Sequence, residues 1–538
     1  MAQSTSTPSP GPSYHRGDTL IRGGLICDGD GGAPYAADLA LRGDTIVAIA
    51  PDLRSLGEYA AEHDAAGCVV APGFIDIHTH SDLSVLAVPS MASALHQGVT
   101  TELAGNCGMA VGLVNGQEAR FSQERGWLER GGVTLDWSRL SGFYERIESQ
   151  GVAINMGTLA GHGTIRKAVM EFAEREPDAA ELAEMRRMVE SAMEDGAFGL
   201  STGLEYLPGG YAQLDEICAL AEVAHAAGGF YASHMRSEGD ELMESVDETI
   251  AVGERTGIPV QISHHKAEGS ANWNKTIATL ARMQAARDAG QDVLTDQYPY
   301  TAFMTGLVII LLPAWARGGS PEDTMARLTD PETRARIESE IVARNPNFDD
   351  IQIGIARTSP EAQGLTLAQL GAARGVSPVT AAIDLLIAEA GWVGAAHFAL
   401  SEEDVERIMR DSHTMIGSDG VATTPAAPER PHPRSYGTFP RVLGRYVRKR
   451  GVMSVAEAVR RMTSLPAQRL RIADRGRLAV GMKADITVFN PSTIADQATF
   501  GEPHQYPTGI EYVFVNGQLA LKRGEQTDAR GGRVLRRV

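Results

Sequence analysis

Between residues 71 and 300 the hydrophobic positions repeat one pattern: an amphipathic run, a glycine, then a short apolar run ending on a polar residue. "DAAELAEMRRMVESAMEDG" places Leu182, Met185, Val189 and Met193 on one helical stripe. Asp178 and Glu181 stand before it at capping-box spacing, and Gly196 stands after it. The stripe reads as core packing. A helix ending at "AHAAGG" precedes the strand "FYASH"; "ETIAVGERTG" leads to "IPVQISHH", and "LARMQAARDAG" to "VLTDQYPY". Strands alternating with amphipathic helices make βα units and a parallel sheet. Their number, over roughly 400 residues, predicts an α/β fold built on a (β/α)8 TIM-type barrel rather than an open sheet. No GxGxxG follows the first strand, which weighs against a dinucleotide site.

The two ends of the chain follow another rule. "DTLIRGGLICDGDGGAPYAADLALRGDTIVAIA" alternates short β-rich pieces with Gly/Asp turns. "GMKADITVFNP" and "GIEYVFVNGQLALKRG" do the same at the other end, with Asn516-Gly517 marking a hairpin turn. The expectation is a small β-sandwich domain formed from both ends, 17–70 and 475–538, flanking a barrel over 71–474. Residues 1–16 are Ser/Pro/Gly-rich and read as a disordered tail. More than a hundred residues separate "DQYPYTA" from "TMIGSDG", too many for one crossover. That predicts an inserted subdomain after barrel strand 7, at about 301–395, placed as a lid over the barrel mouth.

Composition narrows the classes. The chain has 538 residues, 43% hydrophobic and 22% charged, as expected of a globular protein. A net charge of −19, offset by no basic run, argues against a nucleic-acid surface. Four scattered cysteines without a CxxC pair point to a reducing compartment, and the cytoplasm is the expected location. The N-terminal residues contain no apolar signal region, and "GLVIILLPAW" falls well short of a spanning helix, so no membrane is expected. The oligomeric state is not read from the sequence.

The chemistry lies at the strand ends. In "APGFIDIHTHSDLS", strand alternation puts Asp76, His78 and His80 on one face and Ile75, Ile77 and Thr79 on the other. "FYASH" ends in His234, "VQISHH" in His264 and His265, and "TMIGSD" in Asp419. A single histidine at such a place is more often a satisfied core or surface group. Several at the C-terminal ends of barrel strands, where such barrels keep their active sites, describe a site for zinc or a similar ion. His265 alternates to the opposite face from His264, and His96, His162 and His413 read as structural.

"GFIDIHTHSD", "GNCG", "SHMRSEGD", "ISHHKAEG", "DQYPYTA", "IGSDG" and "HPRSYGTFPRVL" together resemble the N-acyl-D-amino-acid deacylases of the amidohydrolase superfamily. The HxH pair is shared across the superfamily; "GNCG" with "SHHK" and "HPR" is more specific. Many superfamily members bridge two metals with a carboxylated lysine, yet "GAFGLSTGLEY" has none. The resemblance implies that Cys107 takes that place, with Glu205 as a rival bridging carboxylate. It implies a tight zinc on Cys107, His234 and His264, and a weaker position on His78, His80, Cys107 and Asp419. Asp419 would activate water as general base and then protonate the leaving amine. Lys266, Tyr298 and Arg434 would hold the substrate carboxylate, and Glu205 and Tyr206 would line the side-chain pocket. The partner is then a small N-acyl amino acid, and preference for the D series rests on the resemblance alone. Two alternatives stay open: a cyclic amidase of the hydantoinase/dihydroorotase kind, and a non-catalytic scaffold on the same fold.

Overall fold

The computed structural model describes residues 18–113 and 132–537, so the expected tail at 1–16 lies outside the described residues. Eight parallel strands form its centre: Phe74–Asp76, Val99–Ala104, Asn155–Thr158, Gly199–Gly203, Phe230–His234, Val260–Ile262, Val293–Gln297 and Thr414–Ile416. The first three pair in order, and the fourth to eighth pair in order. The third passes through Leu159 into Ala160–Gly161, which pairs with the fourth. A parallel bridge from Thr79 to Gly420 brings the end of the eighth back to the first. The sheet therefore closes, and its strands are buried almost throughout, as parallel strands under helices must be.

The helices follow the apolar stripes. Ala179–Glu194 starts from an Asp178–Glu181 capping box and buries Met185, Val189 and Met193. Leu182 lies at the edge of that stripe, half-buried against the same core. No single described helix is long and apolar enough to cross a membrane.

Two further bodies flank the barrel. Thr19–Ile26, Tyr35–Arg42, Thr45–Ala50, Ala61–Asp64 and Val69–Pro72 join Ile486–Phe489, Ile510–Val515, Gln518–Lys522 and Glu525–Gln526 in one nine-stranded sheet. Val69–Pro72 against Ile486–Phe489 is the seam between the two chain ends. A bridge from Thr45 to Lys483 curls the far edge back, so the sheet wraps its own core of Leu39, Ile46, Val70, Ile486 and Phe514. Hydrogen bonding is thus continuous where a sandwich has two separate layers. The hairpin at Asn516-Gly517 has φ of 48° and 77°, the left-handed pair of a type I′ turn. A Cβ on Gly517 would lie 1.8 Å from Gly43 O, so glycine alone fits there.

Between the seventh and eighth barrel strands, Phe303–Gly306, Ile351–Ile355 and Gly394–His397 make a three-stranded antiparallel sheet. With Pro331–Arg344, Leu367–Arg374 and Pro378–Ala388 it encloses a separate core that includes Ile337, Ile353, Leu370 and Leu385. Its strand Phe303–Gly306 reaches the barrel mouth, where Thr305 Oγ1 meets the Tyr206 hydroxyl at 3.1 Å.

Candidate metal centre

The polar residues converge on the C-terminal rim of the barrel. His234 ends the fifth strand, His264 lies just past the sixth, and Cys107 and Asp419 follow the second and eighth. Cys107, His264 and Asp419 have φ of 53°, 34° and 52°, a left-handed conformation costly for side chains other than glycine. Such strain held at three convergent donors points to function. The Cys107 turn lies hard against the fourth strand: a Cβ on Gly203 would stand 2.1 Å from Cys107 O.

Two donor groups share Cys107. In one, ligand atoms of Cys107, His234 and His264 lie within 4.8 Å of one another; in the other, those of His78, His80, Cys107 and Asp419 do. Cys107 Sγ is 3.5 Å from His264 Nε2 and 3.4 Å from His78 Nε2. His234 Nδ1 is 2.8 Å from His264 Nε2, and Asp419 Oδ1 is 3.0 Å from His80 Nε2 and 3.6 Å from His78 Nε2. A tetrahedral zinc with bonds of roughly 2.0–2.3 Å asks for neighbouring donors about 3.3–3.8 Å apart. The observed spacings need only small outward shifts, and an N/S/O donor set suits zinc.

Carboxylates brace the imidazoles from behind. Asp296 Oδ1 meets His78 Nδ1 at 3.0 Å and accepts the His264 backbone N–H at 2.7 Å; Asp296 Oδ2 accepts from Gln261 at 2.6 Å. Glu205 Oε2 lies 3.1 Å from His234 Nε2. Glu238 Oε1 lies 2.9 Å from His264 Nδ1, while Glu238 Oε2 accepts from Lys266 Nζ at 2.5 Å. Such outer partners fix which ring nitrogen faces an ion.

Burial opposes charge on Cys107, His80, His234, Asp419 and Glu238, yet their attraction to charged neighbours prevails. His78, His80 and His264 hold the Cys107 thiol well below its usual range. Cys107 and Asp419 raise His80 to about 9; Glu238, Cys107 and Glu205 raise His234 to about 10. Arg434 and His80 hold Asp419 well below the carboxylate range, and Lys266 and His264 do the same for Glu238. Protons on imidazoles around a thiolate occupy the electrostatic place of a cation, and metal binding displaces such protons.

Next to the donors stands a cationic wall. Lys266 Nζ and Arg434 Cζ lie 5.7 and 4.9 Å from the Tyr298 ring centre. Tyr298 is buried, and its hydroxyl has no hydrogen-bond partner among the described residues. Arg434 pairs with Asp419 Oδ2 at 2.7 Å, and Lys266 pairs with Glu238, so neither cation is free. The Tyr206 ring packs 4.6 Å from that of His234.

With this geometry in view, the similarity to known proteins is informative. A family model described as the amidohydrolase family matches residues 61–520. The chain belongs to the amidohydrolase family. It is 39% identical to an N-acyl-D-glutamate deacylase of Alcaligenes xylosoxydans xylosoxydans, over 97% of this chain and 96% of that one. It is 37% identical to a D-aminoacylase of the same organism, over the full length of both. A crystal structure of the N-acyl-D-glutamate deacylase from Bordetella bronchiseptica, with zinc and a phosphonate mimic of the tetrahedral intermediate, aligns with TM-score 0.83 and 36% identity. That alignment covers 97% of this chain and all of the other.

The structure of this amidohydrolase corrects one local expectation. The first strand ends at Asp76, so His78 and His80 lie beyond it and Asp76 does not share their face. Asp76 Oδ1 instead accepts the backbone N–H groups of His78 and Ser418, tying the first strand to the eighth. Burial raises Asp76 to about 7, and burial with the nearby Asp76 charge raises Glu102 to about 8. The histidines that the sequence set aside are engaged elsewhere: His265 with Thr279, His162 with Glu216, His96 against the Tyr506 ring and His413 with Asp411. Sequence reasoning passed over Asp296, Glu238 and Glu102, and set Asp76 beside the two histidines rather than behind them. Asp296 and Glu238 stand inside the quoted stretches "DQYPY" and "SHMRSEGD", so carboxylates near metal-capable strand ends were the available signal.

Proposed function

We propose that this amidohydrolase hydrolyses the amide bond of N-acyl-D-amino acids, releasing a carboxylate and a D-amino acid, with zinc as its metal. The observation that carries this reading is the convergence of two Cys107-sharing donor groups beside the Lys266–Tyr298–Arg434 wall. The tight position is assigned to Cys107, His234 and His264, and the weaker one to His78, His80, Cys107 and Asp419. An ion bound there supplies Lewis acidity, polarising the acyl carbonyl and lowering the pKa of water from 15.7 toward about 7.

The chain's own groups do the rest. Asp419 accepts the proton of the attacking water at its carboxylate and returns it to the amine nitrogen as the C–N bond breaks. Arg434 steadies the Asp419 carboxylate in the structure and lies within reach of a substrate carboxylate as well. Lys266, with the unpartnered Tyr298 hydroxyl, supplies directed and charge-assisted donors for the α-carboxylate. Tyr206 and Glu205 stand by the His234 edge, where the side-chain pocket is assigned. The strand Phe303–Gly306 of the insertion borders this region, with Thr305 bonded to Tyr206 and Met304 O accepting from Arg434. Four buried, unpaired cysteines agree with a reducing compartment, and the cytoplasm is the proposed location.

The test is a panel of N-acetyl-D- and N-acetyl-L-amino acids assayed for released amine, with zinc counted on the same sample. Turnover of D substrates by zinc-loaded protein is expected. Turnover of cyclic amides instead would favour the hydantoinase-like alternative, and zinc-free protein without hydrolysis would favour the scaffold. The fourth strand, Gly199–Gly203, carries no lysine, which argues against the cyclic amidase.

A further inference from the structure

His264 Nδ1 has two close neighbours of opposite kind. Lys266 Nζ stands 2.8 Å away and Glu238 Oε1 2.9 Å away. An ammonium only donates, and a carboxylate only accepts, so one ring nitrogen cannot satisfy both. The other nitrogen, Nε2, faces Cys107 and His234. A neutral imidazole that gives its Nε2 lone pair to an ion carries its proton on Nδ1. That proton then needs an acceptor, and Glu238 Oε1 is buried and has no other hydrogen-bond partner among the described residues. Lys266 keeps Glu238 Oε2 at 2.5 Å and has hydrogens to turn toward the Tyr298 side of the wall.

We propose that Glu238 is a positioning residue that links metal binding to substrate binding, one oxygen fixing the His264 tautomer and the other holding the Lys266 ammonium. The link to substrate rests on the deacylase reading above; the link to metal does not. One carboxylate thus spans a metal-facing imidazole and a substrate-facing ammonium, so metal and substrate carboxylate favour each other's binding. Outer partners of this kind are typically worth about 10–100-fold in metal affinity or activity.

The test compares wild-type protein with Glu238→Gln, using zinc competition against a chromophoric chelator and steady-state kinetics at saturating zinc. The expected result is zinc affinity lower by about 10–100-fold, together with a raised KM once zinc is saturating. Wild-type zinc affinity would overturn the role at His264. Lowered zinc affinity with an unchanged KM would overturn the link to Lys266. Should Glu238→Gln fail to fold, 15N spectra of histidine-labelled wild-type protein decide the matter: the zinc-loaded protein should show His264 in the Nδ1–H form, and an Nε2–H form there would sink the proposal. A chain that binds zinc as expected but hydrolyses no N-acyl amino acid would refute the deacylase reading and leave the His264 arm standing.

Discussion

The two donor groups share a sulfur but are built differently. On the His234–His264 side each imidazole is backed by its own carboxylate, Glu205 or Glu238, and both histidines are buried. On the His78–His80 side only His78 has such a brace, Asp296; His80 is about one-fifth exposed, and Asp419 divides its oxygens between His80 and Arg434. A braced, buried imidazole loses little freedom when it takes an ion, whereas a half-open one must be ordered and Asp419 must partly release its arginine. The contrast supports the proposal that the first side holds metal tightly and the second handles the proton.

The sharpest way to break that contrast is Cys107→Ala, which removes the atom common to both groups. Zinc per chain should fall steeply and hydrolysis with it; unchanged zinc would hand the bridging role to Glu205. Asp419→Asn should lower kcat by roughly 10²–10⁴-fold, the usual weight of a general acid–base group, while zinc content stays near wild type. Substantial remaining turnover would remove Asp419 from proton transfer. Next in size, His80→Ala should retain more zinc and more activity than His234→Ala, and the reverse order would invert the comparison. Lys266→Ala should act mainly on KM and kcat/KM, so wild-type kinetics would discard it as a carboxylate anchor.

The smallest effect is a pH dependence beneath the metal centre. Glu102 has its folded pKa raised to about 8 from an ordinary 4.5, so the folded chain keeps a proton that the unfolded chain gives up between those values. Its contribution is fully present below the unfolded pKa and is lost as pH rises through the folded one. Melting temperature should therefore decline from about pH 5 to pH 8.5, and Glu102→Gln should flatten that decline. Equal slopes for both proteins would exclude Glu102 as the source.

Legibility along the chain follows the range of the interactions. The Ala179–Glu194 helix and its cap were readable because a 3.6-residue stripe and an i to i+3 box are local. The first strand was read too far, through His80, because alternation alone does not mark where pairing stops; Asp76 turns to Ser418, which follows the neighbouring eighth strand and is 342 positions away in the chain. The terminal strands were legible one by one, but their merging into a single curled sheet depends on the Val69–Pro72 seam. Glu238 and Asp296 escaped notice because an isolated carboxylate in a sequence does not show which imidazole it will face.

By itself the sequence determined that metal-capable histidines and Asp419 stand near the ends of barrel strands, since side-chain identity and hydrophobic period are carried by neighbouring residues; Cys107 entered through the family resemblance. Tertiary structure alone decided that His78 meets Asp296, 218 positions away, and that Lys266 and Arg434 are already paired. Those choices are made by barrel closure, which sets distances of a few ångströms between residues whose separation along the chain carries no such information.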